Sequence, residues 1–257
     1  MIDKKQILWG ITDEEDKFLM SRMYDLAQRA EKTGRIMYSR FLNPGQKMLV
    51  KERFAQYDTV SFFGGFKDAD RCIAAFIPSQ WEEPEYPVTL LKLVPSSRKT
   101  YSHRDYLGSV LAMGIDRELT GDIIVTDDGA YMPVMEEISD FIMMNLSRIA
   151  NSPVKITVEY DNSCIEGVKR FKESSVTVSS LRLDCVLSSV TGKSRSVSAS
   201  LIDEGLVSVN YDIIKSTSFQ VKNADVISLR GYGKFITETD GTLTKKGRIH
   251  LNIKKYV

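Results

Sequence analysis

SLRLDCVLSSVTGKSRSVSASLIDEGLVSVN, Ser180 to Asn210, is the stretch on which the reading of this chain turns. Leu183, Val186, Leu187 and Val190 recur at i, i+3, i+4 and i+7, which places them on one face of a short helix. Thr191-Gly192-Lys193 turns the chain, and Ser194 is placed to cap a second helix. Val197, Leu201 and Ile202 then face the same core before Gly205 ends that helix. Leu206 to Val209, Ser218 to Val221, Val226 to Leu229 and Lys234 to Thr237 read as short strands. Two helices at an angle, then a small sheet, is the plan expected of residues 180–257.

Removing the core positions leaves a polar, basic face made of Arg182, Lys193, Ser194, Arg195, Ser196 and Ser198. Ser194 to Ser196 fall at a helix N-terminus, where unpaired N–H groups and the positive dipole end favour a phosphate, and the cations and hydroxyls add donors. Lys215, Arg230, Lys234 and the run Lys245-Lys246-Gly247-Arg248 extend the same surface. In Arg230-Gly231-Tyr232-Gly233-Lys234 the glycines let backbone approach a ligand, and Tyr232 is available to stack. The charge agrees. Residues 1–180 carry 23 Lys+Arg against 27 Asp+Glu, whereas residues 181–257 carry 12 against 7. The overall charge of +1 therefore hides a basic terminal domain on a slightly acidic body, the footprint of a phosphate-binding module.

Working outward, 257 residues suffice for two or three compact units. Hydrophobic residues at 42% and charged residues at 27% exclude a wholly disordered or low-complexity chain. No apolar run is long enough to span a membrane and Met1 to Trp9 lacks a signal-peptide pattern, so a cytoplasmic location without membrane partners is expected. Cys72, Cys164 and Cys185 include no CxxC pair, which argues against a disulfide framework and a zinc site; no metal or cofactor is expected.

Residues 1–80 read as a small mixed domain. Thr12-Asp13-Glu14-Glu15 opens a helix that Gly34 stops, and Asn43-Pro44 opens a second. Thr59 to Phe63 is a strand leading into Gly64-Gly65, and Arg71 to Pro78 is another apolar run. Gln80 to Pro87 is a connector. Residues 81–162 follow as strand Val88 to Val94, helix Ser102 to Met113, strands Gly121 to Val125 and Ala130 to Val134 around Asp127-Asp128-Gly129, helix Glu136 to Ile149 and strand Val154 to Tyr160. That order is the βαββαβ arrangement of ferredoxin-like and RNA-recognition-type folds. Residues 163–179 are polar, lack a clear period and read as a linker. The fold class expected is α+β, multidomain.

The residues carry a family resemblance. Arg-Leu-Asp opening the first C-terminal helix, Ser-Arg-Ser opening the second, Val-x-Val-Asn, and Asp225-Val226-Ile227-Ser228 resemble the RNA-binding domain typified by ribosomal small-subunit protein S-four, the alpha-L fold. The resemblance implies RNA contacts for Arg182, Lys193, Ser194, Arg195 and Ser196, with Asp184 a structural partner for a neighbouring arginine. Thr59 to Arg71, Ser102-His103-Arg104-Asp105-Tyr106-Leu107-Gly108, Gly114-Ile115-Asp116-Arg117 and Gly121-Asp122-Ile123-Ile124-Val125 are similar to the YlmH family of bacterial proteins over nearly the whole length. This implies a non-catalytic protein of ribosome-associated quality control and ribosome rescue. Its partners would be large-subunit rRNA and peptidyl-tRNA, with no DNA. Arg98, Lys99, His103, Arg104 and Arg117 form a candidate second RNA contact.

Two other readings stay open: an RNA-modifying enzyme or its accessory subunit, of pseudouridine synthase or methyltransferase type, and an RNA-binding cell-division factor. Against the first, Gly64-Gly65 lacks the GxGxxG spacing. The only histidines, His103 and His250, lie in no nucleophile motif, and Asp122, Asp127 and Asp128 read as turn or strand-end residues. No catalytic residue is assigned.

Overall fold

The computed structural model describes residues 3–57, 59–78, 83–97, 99–161, 171–239, 241–244 and 247–256. Arg98, Cys164, Lys245, Lys246, the start of the 163–179 segment and part of the Gln80 to Pro87 connector lie outside them. The chain divides into two compact units, Met1–Val168 and Lys169–Val257.

The first unit opens with α1 (Lys4–Leu8) and α2 (Glu14–Thr33). The cap of α2 is Asp13, whose carboxylate accepts from the Asp16 N–H, rather than Thr12 one residue earlier; Gly34 ends the helix at φ 64°. Then come β1 (Met37–Tyr38), α3 (Pro44–Arg53), β2 (Val60–Phe63) and β3 (Ile73–Phe76). Asn43 and Gln46 form a reciprocal capping box at the start of α3, with Pro44 in its first turn. The three strands form an antiparallel sheet in the order β1-β3-β2, covered by a core that includes Ile7, Met20, Met23, Val50, Phe54 and Phe76.

The same unit continues with β4 (Val88–Pro95), α4 (His103–Leu111), a 3-10 turn (Arg117–Leu119), β5 (Ile124–Val125), β6 (Ala130–Met135), α5 (Glu136–Asn145), β7 (Arg148–Ile149) and β8 (Ser152–Glu159). The sheet is antiparallel, ordered β5-β6-β4-β8-β7. Without the short edge strand β7, this is the order 2-3-1-4 of a βαββαβ unit. One helix is shorter than its sequence suggests. Ile149 lies seven residues after Ile142 and so fits a helical period, but Ala150 takes φ 48° and folds Arg148–Ile149 back onto Ser152–Pro153. Phe41 and Ile73 from the first 80 residues join the core beneath this sheet, with Leu91, Leu93, Tyr106, Val110 and Met132.

The second unit comprises β9 (Phe171–Val178), α6 (Leu183–Thr191), α7 (Arg195–Asp203), β10 (Val207–Val209), β11 (Asp212–Ile213), β12 (Val226–Leu229), β13 (Gly233–Glu238) and β14 (Ile249–Tyr256). They form one six-stranded sheet, β11-β10-β12-β13-β14-β9, with the α6–α7 pair packed on it through Leu183, Val186, Leu187 and Ile202.

Three sequence expectations change here. Residues 171–178 are a strand and not a linker: Val176 and Val178 turn toward the core while Phe171, Glu173 and Ser175 alternate with them, and all eight residues pair with β14. Ser218 to Val221 is not a strand; among these residues only Gln220 makes an isolated bridge, to Arg182. Finally, α7 faces the core with Ser198, fully buried, and Ile202, whereas Val197 is 42% exposed. Ser198 fits there because its hydroxyl donates to the Ser194 carbonyl at 3.2 Å, leaving no bare polar atom.

Candidate nucleic-acid interface

Asp184 organises the exposed side of the helix pair. It sits in the first turn of α6, only 6% exposed. Arg182 Nε and Nη2 donate to its Oδ1 and Oδ2 at 3.1 and 3.2 Å, Arg195 Nη2 donates to Oδ2 at 2.7 Å, and the Cys185 N–H donates to Oδ1 at 2.9 Å. Burial pushes the carboxyl upward, but the bonds from Arg182 and Arg195 outweigh it and hold it down at about 2. Both guanidinium groups are in turn held above their ordinary range, chiefly by bonding to Asp184. The trio carries one net positive charge, and its arginine side chains remain 36% and 56% exposed. Two forked donors are thereby pre-positioned side by side, which lowers the entropy they would lose on gripping an anion such as a phosphate.

The start of α7 adjoins this clamp. Ser194 caps the helix, its Oγ accepting from the Val197 N–H at 3.3 Å and lying 2.9 Å from Ser196 Oγ. The first intrahelical bond runs from Ser198 N to Ser194 O, so the amides of Arg195 and Ser196 precede the helical ladder. Lys193 is exposed, and its ammonium lies 5.2 Å from the centroid of the Tyr232 ring. That contact brings the β12–β13 turn, with exposed Arg230, to the helix face. Ser198, a candidate from sequence, is not part of this surface because it is buried. Lys215 is exposed. Lys234 is half-buried: its Nζ donates to Tyr211 Oη at 2.8 Å and lies 4.7 Å from the Tyr256 centroid.

The candidates in the first unit have another arrangement. Lys99 and Arg104 are exposed. Arg117 Nη1 donates to the carbonyls of Thr120 and Gly121, at 2.7 and 2.9 Å, and to Thr120 Oγ1. Burial, then the neighbouring Arg71 cation, holds its guanidinium down at about 10. Arg71 donates to the carbonyls of Thr120, Phe41 and Arg117, each at 3.2 Å. Asp122 is more than a turn residue: its half-buried carboxylate, pushed up by burial, accepts from the Asp70 and Arg71 N–H groups at 2.6 and 3.0 Å. His103 keeps an exposed edge, and the protein around it, then the Arg117 cation, hold its imidazole below the usual histidine range. Arg71 and Asp122 thus tie segments far apart in sequence, and Arg117 braces the turn that follows it. Gly64 and Gly65 belong to the same packing: a Cβ on Gly65, at φ 93°, would lie 2.6 Å from the Pro133 side chain. Sequence patterns missed this knot because the bonds of Arg71 and Asp122 span 30 to 52 residues, and those of the Arg117 side chain end on Thr120 and Gly121 in the neighbouring turn.

Residues 82–162 match the family model described as "Putative RNA-binding domain in YlmH", and residues 181–227 match that of the S4 domain. The chain carries a YlmH-type domain followed by an S4 domain. The clamp Arg182, Asp184 and Arg195 lies inside the S4 domain, and His103, Arg104 and Arg117 inside the YlmH-type domain. A curated relative, "Ribosome-associated protein quality control protein P2" of Bacillus subtilis (strain 168), is 27% identical over 227 residues, 86% of this chain and 88% of the relative. A solved structure, "Cell division protein ylmH from Streptococcus pneumoniae", shares the fold with a TM-score of 0.51 at 21% identity, over 59% of this chain and 94% of that one. No helix among the described residues is long and apolar enough to cross a membrane.

Proposed function

We propose that this protein is a non-catalytic binder of structured RNA that attaches to the large ribosomal subunit, contacting rRNA and peptidyl-tRNA, in ribosome-associated quality control. The observation that carries this reading is the Asp184-centred pair of arginines beside the capped start of α7, inside the S4 domain. It is a rigid surface of charge and hydroxyl donors suited to phosphate and RNA shape rather than to base sequence. The relative's name supplies the cellular setting. In the first unit Arg71, Arg117 and Asp122 are occupied in holding backbone.

Salt titration tests the reading. If about four phosphates are neutralised, affinity for a structured rRNA or tRNA fragment falls on the order of 50- to 150-fold between 50 and 200 mM monovalent salt. A slope near zero would overturn the phosphate clamp.

A further inference from the structure

Turn chemistry singles out one residue that the clamp does not use. Strands β10 and β11 pair with Val209 opposite Asp212, so the hairpin closes through two residues, Asn210 and Tyr211. Both take positive φ, 50° and 76°, as a type I′ turn requires. The second position of such a turn strongly favours glycine, and an aromatic residue in the left-handed region is a genuine outlier. Asn210 is anchored: its side chain donates to Asp225 Oδ1 at 2.8 Å and accepts from the Val226 N–H at 2.9 Å. Nothing about closing the turn calls for a ring at 211. Backbone strain of this kind marks a residue kept for another task.

The surroundings indicate the task. The Tyr211 ring is half-exposed at the hairpin tip, and its hydroxyl accepts from Lys234 Nζ at 2.8 Å. The same ammonium lies 4.8 Å from the Tyr211 centroid and 4.7 Å from the Tyr256 centroid. Phe171 meets the Tyr256 ring edge-on, with centroids 4.9 Å apart. Glu173 and Lys254 share the face of Phe171 and Tyr256, whereas Lys172 and Lys255 alternate to the other face of the sheet. Aromatic rings set about the Lys234 cation are of the kind that binds single-stranded nucleic acid, the rings stacking bases and the ammonium meeting a phosphate. The Lys193–Tyr232 contact joins this end of the sheet to the helix face through the β12–β13 turn.

From this arrangement we infer that Tyr211, backed by Lys234 and Tyr256, is a stacking platform for an unpaired RNA nucleotide, separate from the arginine clamp. The inference rests on the RNA-binding reading above and adds a ligand class to it: a single-stranded segment, read by stacking, beside a structured segment held by phosphate contacts.

The test compares Tyr211→Gly with wild type, using a fluorescein-labelled oligoadenylate about ten nucleotides long and a fully paired RNA hairpin, each followed by anisotropy. Glycine suits the turn better than tyrosine, so the melting temperature of Tyr211→Gly stays equal to or above that of wild type, and lost binding cannot be ascribed to lost folding. Oligoadenylate affinity falls about 5- to 150-fold, the range of one base–aromatic stack, whereas hairpin affinity changes little. Tyr211→Phe keeps the ring and retains most of the oligoadenylate affinity. Oligoadenylate binding by Tyr211→Gly equal to wild type overturns the platform, as does wild type that binds the hairpin alone. Arg182→Ala/Arg195→Ala run in parallel separates the two readings. Loss of hairpin binding there with Tyr211→Gly silent refutes the platform only, and wild type that binds neither RNA refutes both.

Discussion

Replacing Asp184 with Asn removes the negative charge that holds Arg182 and Arg195 together while keeping the shape of the side chain. The carboxyl sits at about 2 instead of its ordinary 3.8, and at about 1.4 kcal/mol per pKa unit this corresponds to about 2.4 kcal/mol favouring the folded state. The guanidinium partners are 36% and 56% exposed, so solvent screening reduces the figure to about 1–2 kcal/mol. The sign follows from the depressed folded value: the contribution is complete above the unfolded pKa near 4 and is lost as pH falls through about 2. The assay is amide hydrogen exchange in the full chain, read on peptides covering α6 and α7, with wild type and variant compared at each pH. At pH 6 protection in Asp184→Asn is about 5- to 30-fold lower. At pH 2 the two proteins converge. Equal protection at pH 6, or a gap that persists undiminished at pH 2, would refute the assignment of Asp184 as the charge holding the clamp.

Other substitutions separate structural residues from binding residues. Ser194→Ala removes the cap of α7 and costs about 1 kcal/mol in denaturant unfolding, whereas Ser198→Ala, at a buried position, leaves RNA affinity in anisotropy titrations unchanged. Arg117→Met deprives the Thr120 and Gly121 carbonyls of a charged donor at a cost of about 2–3 kcal/mol; the thermal midpoint of the first unit falls by about 4–12 °C in calorimetry, with little change in the salt slope of RNA binding. Gly65→Ala forces a Cβ toward Pro133 at an unfavourable φ and destabilises the same unit by about 2–5 kcal/mol, read as a lowered calorimetric transition.

Legibility in the sequence followed the strength of local pattern. The α6 stripe of Leu183, Val186 and Leu187 is buried as its spacing indicates, and the middle βαββαβ order was readable because each strand is short, apolar and bounded by turn residues. The facing of α7 was not: Val197 is apolar yet 42% exposed, and Ser198 is polar yet buried, since a small residue with a back-bonded hydroxyl suits the core side of the helix. Strand β9 escaped notice because Lys172, Glu173, Ser174 and Ser175 hide its alternation, and only eight residues of pairing with β14 reveal it. At the site, the arginines and serines were legible as a motif. Lys193 on Tyr232 and Lys234 between Tyr211 and Tyr256 were not, because those partners come from separate strands and turns whose meeting depends on the sheet order.

The central claim, large-subunit binding through the arginine clamp, is tested most directly by co-sedimenting the full chain with separated small and large ribosomal subunits, beside Arg182→Ala/Arg195→Ala. The account predicts that wild type pellets with the large subunit and the double variant stays in the supernatant. Wild type that pellets with neither subunit, or a double variant that binds the large subunit as well as wild type does, would contradict it.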